Sequence, residues 1–332
     1  VKRAFSNGQG TNFLVNKESL RVAALGGGHG LPSVLRALKP YTPNLTAIVT
    51  VADDGGSSGK LRRELGVIPP GDLRNNIAAL ADDEALMTHL FQYRFSESTA
   101  EGHSLGNLLL AALTNITGSM VKAVAEAGHV LKIKGTVLPA SLQNVVLCAD
   151  ILDESGVLQE IQGESLIGEA TGRIQRVRLT PSPVRAYPET LRAILSAEVI
   201  IFGPGSLYTS TLPSLLVDDI ANAIRASEAP RLYICNIATQ RETTGFTVAD
   251  HIKVLEDHIG EGLIDMIICN DHYPTPPPDS ATHYVPLTDF DRERLAHYRI
   301  LTADLTGVDQ PWRHDSTKLA AAIFQALEVL ST

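Results

Sequence analysis

Apolar residues arrive along this chain in short unbroken runs, separated by turn residues and by stretches with helical spacing. Arg21–Leu25, Leu45–Val51, Glu198–Phe202, Arg231–Asn236 and Ile264–Cys269 are such runs, rich in Val, Ile and Leu. A run without alternation marks a strand buried on both faces, as in a parallel sheet covered by helices. Between these runs the spacing predicts helices over Leu31–Leu38, Leu73–Ala81, Glu84–Phe91, Ser104–Thr114, Gly118–Ala127, Glu189–Ala197, Leu212–Ala226, Val248–His258 and from Ser316 to about Leu330. Asp72, after Pro69-Pro70-Gly71, is placed as an N-cap for the second of them. Ser96–Gly102 and Pro274–Pro278 read as loops. The middle differs: Val130–Val137, Asn144–Ile151 and Gly172–Leu179 are strand-like and separated by turns. The expected fold is α/β, a Rossmann-like doubly wound, mainly parallel sheet with helices on both faces and a small antiparallel insertion at about 130–180. Residues 1–20 are polar and aperiodic and read as an arm, with one domain over 21–330.

Composition narrows the function classes. The 332 residues are 44% hydrophobic, enough for one large α/β domain or two small ones. A net charge of -9 argues against a general nucleic-acid binder, which carries a basic face, and no nucleic-acid partner is expected. Cys148, Cys235 and Cys269 are far apart and form no CxxC, which suits reduced, buried thiols in a cytosol. No apolar run reaches the ~18 residues of a membrane span, and no signal-peptide pattern opens the chain. A cytoplasmic location is expected, with an anchor upstream of Val1 left open.

The candidate chemistry sits where strands end. Gly26–Gly30, GGGHG, lies between the first strand and its helix, where Gly27, Gly28, His29 and Gly30 can bring backbone N–H groups and a helix N-terminus to a phosphate. It is not the dinucleotide fingerprint: the third glycine would fall at Leu31 or Ser33, which counts against a dehydrogenase. After the second strand come Asp53 and Asp54, able to bind a sugar, a base or Mg²⁺, and then the loop Gly55-Gly56-Ser57-Ser58-Gly59-Lys60. That loop fails the P-loop register, because Leu61 follows the lysine. Gly102–Gly106 spells G-x-S-x-G, yet no strand precedes it, so Ser104 reads as a helix N-cap with Asn107 on the first turn. Gly203-Pro204-Gly205-Ser206 with Tyr208 and Thr209 can form a second polar cradle, and Asn236 closes a further strand. The histidines show no zinc-binding spacing.

Taken together, LGGGHGL (25–31), AIVTVADDGGSSGKLRRELG (47–66), PPGDLRN (69–75), GHSLGNLLLAALT (102–114), VLPAS (137–141), FGPGSLYTS (202–210), YICNIATQ (233–240) and Arg313-His314 resemble the gluconeogenesis factor family, YvcK-like proteins within the 2-phospho-L-lactate transferase (CofD-like) superfamily. The likeness runs from about Arg21 to Leu330. It implies a Rossmann-like dimer that binds a nucleotide sugar, UDP-N-acetylglucosamine in characterised relatives. It also implies a cytoplasmic role joining carbon metabolism, cell-wall synthesis and cell shape, through a cell-wall or regulatory protein partner. The transferase cousins use a guanosine nucleotide, a deazaflavin and magnesium. Relatives carry Thr where this chain has His29, which donates a hydrogen bond from a bulkier, pH-dependent group. Arg313 matches an arginine of the family near the C-terminus.

Two readings follow. In the first, a binding and regulatory protein, Gly27–Gly30 and Ser57–Ser58 hold a diphosphate, Asp53 or Asp54 contacts sugar or base, and Asp72, Asn75 and Asn107 orient these groups. Gly205–Thr209 and Asn236 line the far wall. In the second, an enzyme of phosphoryl or phosphodiester transfer, the same loops bind the donor and Asp53 and Asp54 hold Mg²⁺.

Overall fold

The computed structural model of the chain describes residues 16–82, 86–95, 102–274 and 283–332. It opens with β1 (Val22–Gly26), α1 (Leu31–Leu38) and β2 (Leu45–Val49). Helices α2 (Gly56–Leu65), α3 (Pro70–Leu80), α4 (Leu86–Gln92), α5 (Leu105–Thr117) and α6 (Met120–Leu131) then lead to β3 (Thr136–Pro139). The insertion comprises β4 (Val146–Leu152), β5 (Leu158–Gln162), α7 (Glu164–Glu169) and β6 (Arg173–Thr180). The chain continues through α8 (Pro188–Ser196), β7 (Val199–Phe202), a π-helical turn (Leu207–Thr211), α9 (Leu212–Leu215), α10 (Asp218–Ala226) and β8 (Arg231–Ile234). It ends with α11 (Val248–Ile259), β9 (Met266–Asn270), α12 (Asp289–Arg294), β10 (Arg299–Ala303) and α13 (Ser316–Ser331).

Among the described residues the main sheet has seven strands in the order β10-β9-β8-β7-β1-β2-β3, every pairing parallel. Successive residues of each strand enter opposite faces, which explains the unbroken apolar runs. Val22, Ala24, Ala47, Val49, Val199 and Ile201 pack beneath α1, α3 and α13. Their neighbours Ala23, Leu25, Ile48, Ile200 and Phe202 pack with α9, α10 and the insertion. From β1 the chain moves outward to β2 and β3, then returns to β7 on the other side of β1 and runs outward again. The reversal between β1 and β7 is a topological switch point, where ligands lie in the crevice beyond the carboxyl ends of the strands.

The three-stranded antiparallel sheet β5-β4-β6 also forms. Leu147, Ala149, Ile151, Val177 and Leu179 alternate toward the core, while Arg178 spans Asp150 and Glu160 on the outer face. Several boundaries differ from the sequence reading. Val130–Val137 is divided: its start closes α6, and its end enters β3 of the main sheet. The Gly/Ser stretch after Gly55 is the beginning of α2, not a loop. Asp72 lies inside α3, whose N-cap is Pro69. Leu212–Ala226 is broken at Leu216–Val217. The polar edge elements β5, α7, α12 and β10 carry no apolar run and were not anticipated. Residues 96–101 of the predicted loop at Ser96–Gly102, residues 84–85 of the predicted helix Glu84–Phe91, most of Pro274–Pro278 and residues 1–15 of the arm lie outside the described residues.

Candidate functional site

The loop after β1 is built by close approach. Gly28 has φ 59, a left-handed conformation that glycine adopts without cost. Gly30 has an ordinary φ of -78, so its requirement is space: a Cβ there would lie 1.8 Å from the carbonyl oxygen of Pro204. Gly27 is covered, with a would-be Cβ 2.5 Å from the Thr50 methyl and 2.6 Å from Asp72 Oδ2. The loops after β1 and β7 are therefore locked backbone to backbone across the switch point. On the β7 side Gly205 has φ 142, and Asn236 grips it twice: Asn236 Oδ1 accepts from the Gly205 amide at 2.8 Å, and Asn236 Nδ2 donates to the Gly205 carbonyl at 2.7 Å.

Two cavities open over these loops and meet at His29. The smaller, about 290 Å³, is lined by Gly28, His29, Asp53, Gly55–Ser58, Gly71, Asp72, Arg74, Asn75, Arg94, Asn107 and Glu164. The larger, about 430 Å³, is formed by His29, Gly30, Pro204, Gly205, Asn236, the strand-end stretch 237–240 and Trp312–His314. Ten of the residues singled out from sequence (Gly28, His29, Asp53, Gly55, Gly56, Ser57, Ser58, Asp72, Asn75, Asn107) thus share the first cavity. Gly30, Gly205, Asn236 and Arg313 share the second, with His29 common to both.

The remaining sequence candidates stand behind these walls. Asp54 turns away, its Oδ1 accepting from the Ser165 amide at 2.9 Å and the Ser165 hydroxyl at 3.0 Å. Ser104 caps α5, its hydroxyl accepting from the Asn107 amide at 3.2 Å. Tyr208 is buried in the core, edge-on to the His258 ring at 6.2 Å. Gly203 packs against Leu25 and Leu31. Ser206 caps the π-turn and donates to Glu242 Oε1 at 2.5 Å, while the Thr209 hydroxyl donates to Ser206 Oγ at 2.7 Å.

Charge is unevenly shared across the smaller cavity. Asp53 Oδ1 accepts from the Gly55 amide at 2.9 Å, yet burial, reinforced by Asp54, raises its pKa above the ordinary aspartate value. Burial together with the Asp53 charge pushes Asp72 up to about 7, although Asp72 Oδ2 accepts from the Gly28 amide at 2.9 Å. Burial and Asp53 likewise push Glu164 up to about 8. Three carboxyl groups therefore crowd one wall and resist joint ionisation. On the other side burial, then the charges of Arg313, Arg74, Arg94 and Arg36, lowers His29. His29 is thus neutral near pH 7 and surrounded by guanidinium charge, a setting that favours an anion. Burial and the neighbouring Arg94 push Arg74 down to about 10. Arg74, Arg94 and Glu164 were missed from sequence. Arg74 lies inside the quoted PPGDLRN block, whereas Glu164 comes from an insertion helix with no apolar signature.

Comparison with known proteins identifies the family and supports the fold. Residues 22–306 match the family model described as 2-phospho-L-lactate transferase CofD, so the fold and the strand-end cleft define a CofD-family protein. Within it, the chain is 46% identical over 318 residues to the gluconeogenesis factor of Bacillus subtilis, covering 93% of this chain and 98% of that one. It is 46% identical over 316 residues to the putative gluconeogenesis factor of a Nostoc species, covering 92% and 68%. The solved structure of a Bacillus halodurans protein superposes with a TM-score of 0.86 at 41% identity, covering 92% of this chain and 100% of that one. The chain belongs to the gluconeogenesis factor family.

Proposed function

We propose that this protein binds a nucleotide sugar of the UDP-N-acetylglucosamine type and acts as a cytoplasmic regulator linking central carbon metabolism to cell-wall synthesis and cell shape. The observation that carries this reading is the pair of cavities meeting at His29. A diphosphate suits the junction, between the amino end of α2, the glycine turn after β1 and the Arg74, Arg94 and Arg313 charges. The cavities to either side suit the two ends of such a ligand. A homodimer and a cell-wall or regulatory protein partner belong to the same reading, from the family.

Thermal-shift titration against UDP-N-acetylglucosamine, GDP- and ADP-sugars, NAD(P) and free nucleotides tests it. Ligand at about 100 times its Kd adds about 2.7 kcal/mol to the stability of the folded state. A melting temperature that rises with the UDP-sugar supports the proposal, and one that responds to none of the panel overturns it.

The second reading, a magnesium-dependent transferase related to 2-phospho-L-lactate transferase, is favoured by the carboxyl groups in the cavity. Asp53, Asp72 and Glu164 supply the hard oxygen donors that Mg²⁺ takes. The pair Asp53–Asp54 does not present both groups together, since Asp54 is engaged by Ser165. Among the described residues no three metal-type side chains form a complete set of protein ligands. One or two carboxylates with substrate phosphates is the arrangement Mg²⁺ ordinarily uses. When bound, the ion would offset the crowded negative charge and polarise the phosphate.

A further inference from the structure

Ser57 is in the first turn of α2 and lines the smaller cavity. Its hydroxyl is held between two side chains that come from the far side of the chain's helical excursion. Asn107 Nδ2 donates to Ser57 Oγ at 2.9 Å, and His103 Nδ1 lies 2.9 Å from the same oxygen. An amide nitrogen only donates, so Asn107 occupies a lone pair of the hydroxyl. The hydroxyl proton is then free to point at Nδ1, with the other ring nitrogen carrying the histidine proton. This is the contact of a nucleophile with its base. The G-x-S-x-G stretch thus supplies the base, not the nucleophile: Ser104 caps α5, while the adjacent His103 reaches a serine 46 positions away.

We propose that Ser57 is a nucleophile, activated by His103, that acts on a phosphorus atom of the diphosphate bound in this cavity. The inference rests on the nucleotide-sugar reading of the same site and gives its transferase alternative a chemical course. Three observations support it independently of the hydrogen bond. Among the described residues no side chain caps α2, and the amides of its first turn have no intrahelical partner, so they are donors for charge gathering on phosphoryl oxygens. Arg74 and Arg94 line the same cavity and offset that charge. Asn107, only 2% exposed, keeps its Oδ1 buried without a partner among the described residues beside the nucleophile, an acceptor that a hydroxyl or N–H of the ligand would satisfy.

In the first step Ser57 Oγ forms a bond to phosphorus as the bond from that phosphorus to the bridging oxygen breaks. The hydroxyl proton passes to His103 Nδ1, and the leaving phosphate group keeps the bonding electron pair. In the second, water or an acceptor hydroxyl attacks the same phosphorus as the Ser57 ester bond breaks, and its proton passes to a phosphoryl oxygen of the product or to solvent. Ser57 Oγ takes back a proton from His103, which restores the starting state. Nothing is oxidised or reduced.

The test uses the full chain with UDP-N-acetylglucosamine and with UDP, each with and without Mg²⁺, followed by intact-mass spectrometry and phosphorus NMR. The expected result is a covalent adduct on Ser57, with its mass telling a phosphoryl from a nucleotidyl group, or cleavage of the diphosphate where the adduct turns over quickly. Ser57→Ala abolishes both. His103→Asn keeps a hydrogen-bonding partner for Ser57 without a base, so it retains thermal-shift binding and loses the chemistry at least tenfold. His103→Ala is rescued by added imidazole, which a purely structural histidine would not show. Binding without adduct or cleavage overturns the proposal and leaves the binding function standing. Chemistry that survives Ser57→Ala also overturns it, and failure to bind any ligand removes both readings.

Discussion

At the scale of single residues, the site depends on atoms that leave no room and on protons that are awkward to lose. Gly30→Ala places a methyl group against the Pro204 carbonyl, a backbone atom that cannot swing aside. A shift of one loop is required, at a cost of about 1–3 kcal/mol by the usual scale of overpacking. Chemical denaturation should show that loss, and nucleotide binding should weaken with it because both cavities share this wall. Asp72 provides a second prediction. Its folded-state value of about 7 lies above that of an exposed aspartate, so the folded state retains a proton that the unfolded chain releases. Stability is therefore greatest below the unfolded value and declines as pH rises toward about 7, with at most about 1.4 kcal/mol lost per pH unit for a single group. Asp72→Asn keeps an oxygen for the Gly28 amide and removes the proton. Melting temperature followed from about pH 5 to about pH 8 should then lose much of its downward slope, and an unchanged slope would assign the effect to other groups.

At the scale of elements, Asn236 shows how one strand end sets a neighbouring loop. It sits beyond β8 and satisfies both polar groups of the Gly205 peptide beyond β7. Asn236→Ala leaves that amide and that carbonyl unpaired in a half-buried place, a cost of about 1–3 kcal/mol for each desolvated group. Asn236→Asp restores the acceptor but not the donor, so its melting temperature should fall between those of the wild type and the alanine variant. Equal stability of all three would remove this role. The sequence showed Asn236 only as a polar residue closing an apolar run, and its partner could not be known before the strand order. The same limit applies more widely. Buried parallel strands were legible because both faces are apolar, and the glycine turns because few other residues could follow them. The start of α2 was hidden because Gly and Ser are poor helix formers, yet Gly59 is required there: a Cβ would meet the Asp54 carbonyl at 1.8 Å. The edge strands β5 and β10 are too polar or too short to stand out, and pairing with their neighbours decides them.

At the scale of the whole molecule, the adjacent carboxylates Asp53 and Asp54 divide two tasks that their sequence position makes look like one. Asp53 faces the cavity, whereas Asp54 holds the insertion against the main sheet through Ser165, at the beginning of α7. The approach is close: a Cβ on Gly163 would lie 2.4 Å from Asp54 Oδ2. Asp54 thereby fixes the helix that carries Glu164 into the cavity, and the insertion becomes a wall whose attachment can be removed separately from the ligand contacts. Hydrogen bonds to a charged group contribute about 1.5–3 kcal/mol, so Asp54→Ala should accelerate amide exchange across β5 and α7 by about tenfold or more in the nucleotide-free protein. Its nucleotide affinity should fall only as far as the displaced Glu164 matters. Asp53→Asn should do the reverse, leaving exchange in the insertion near wild type while changing nucleotide affinity and its response to Mg²⁺. Paired hydrogen-exchange and titration measurements on the two variants separate these roles. If both substitutions loosen the insertion equally and shift affinity equally, the division of labour is wrong and the two acids act as a single charge.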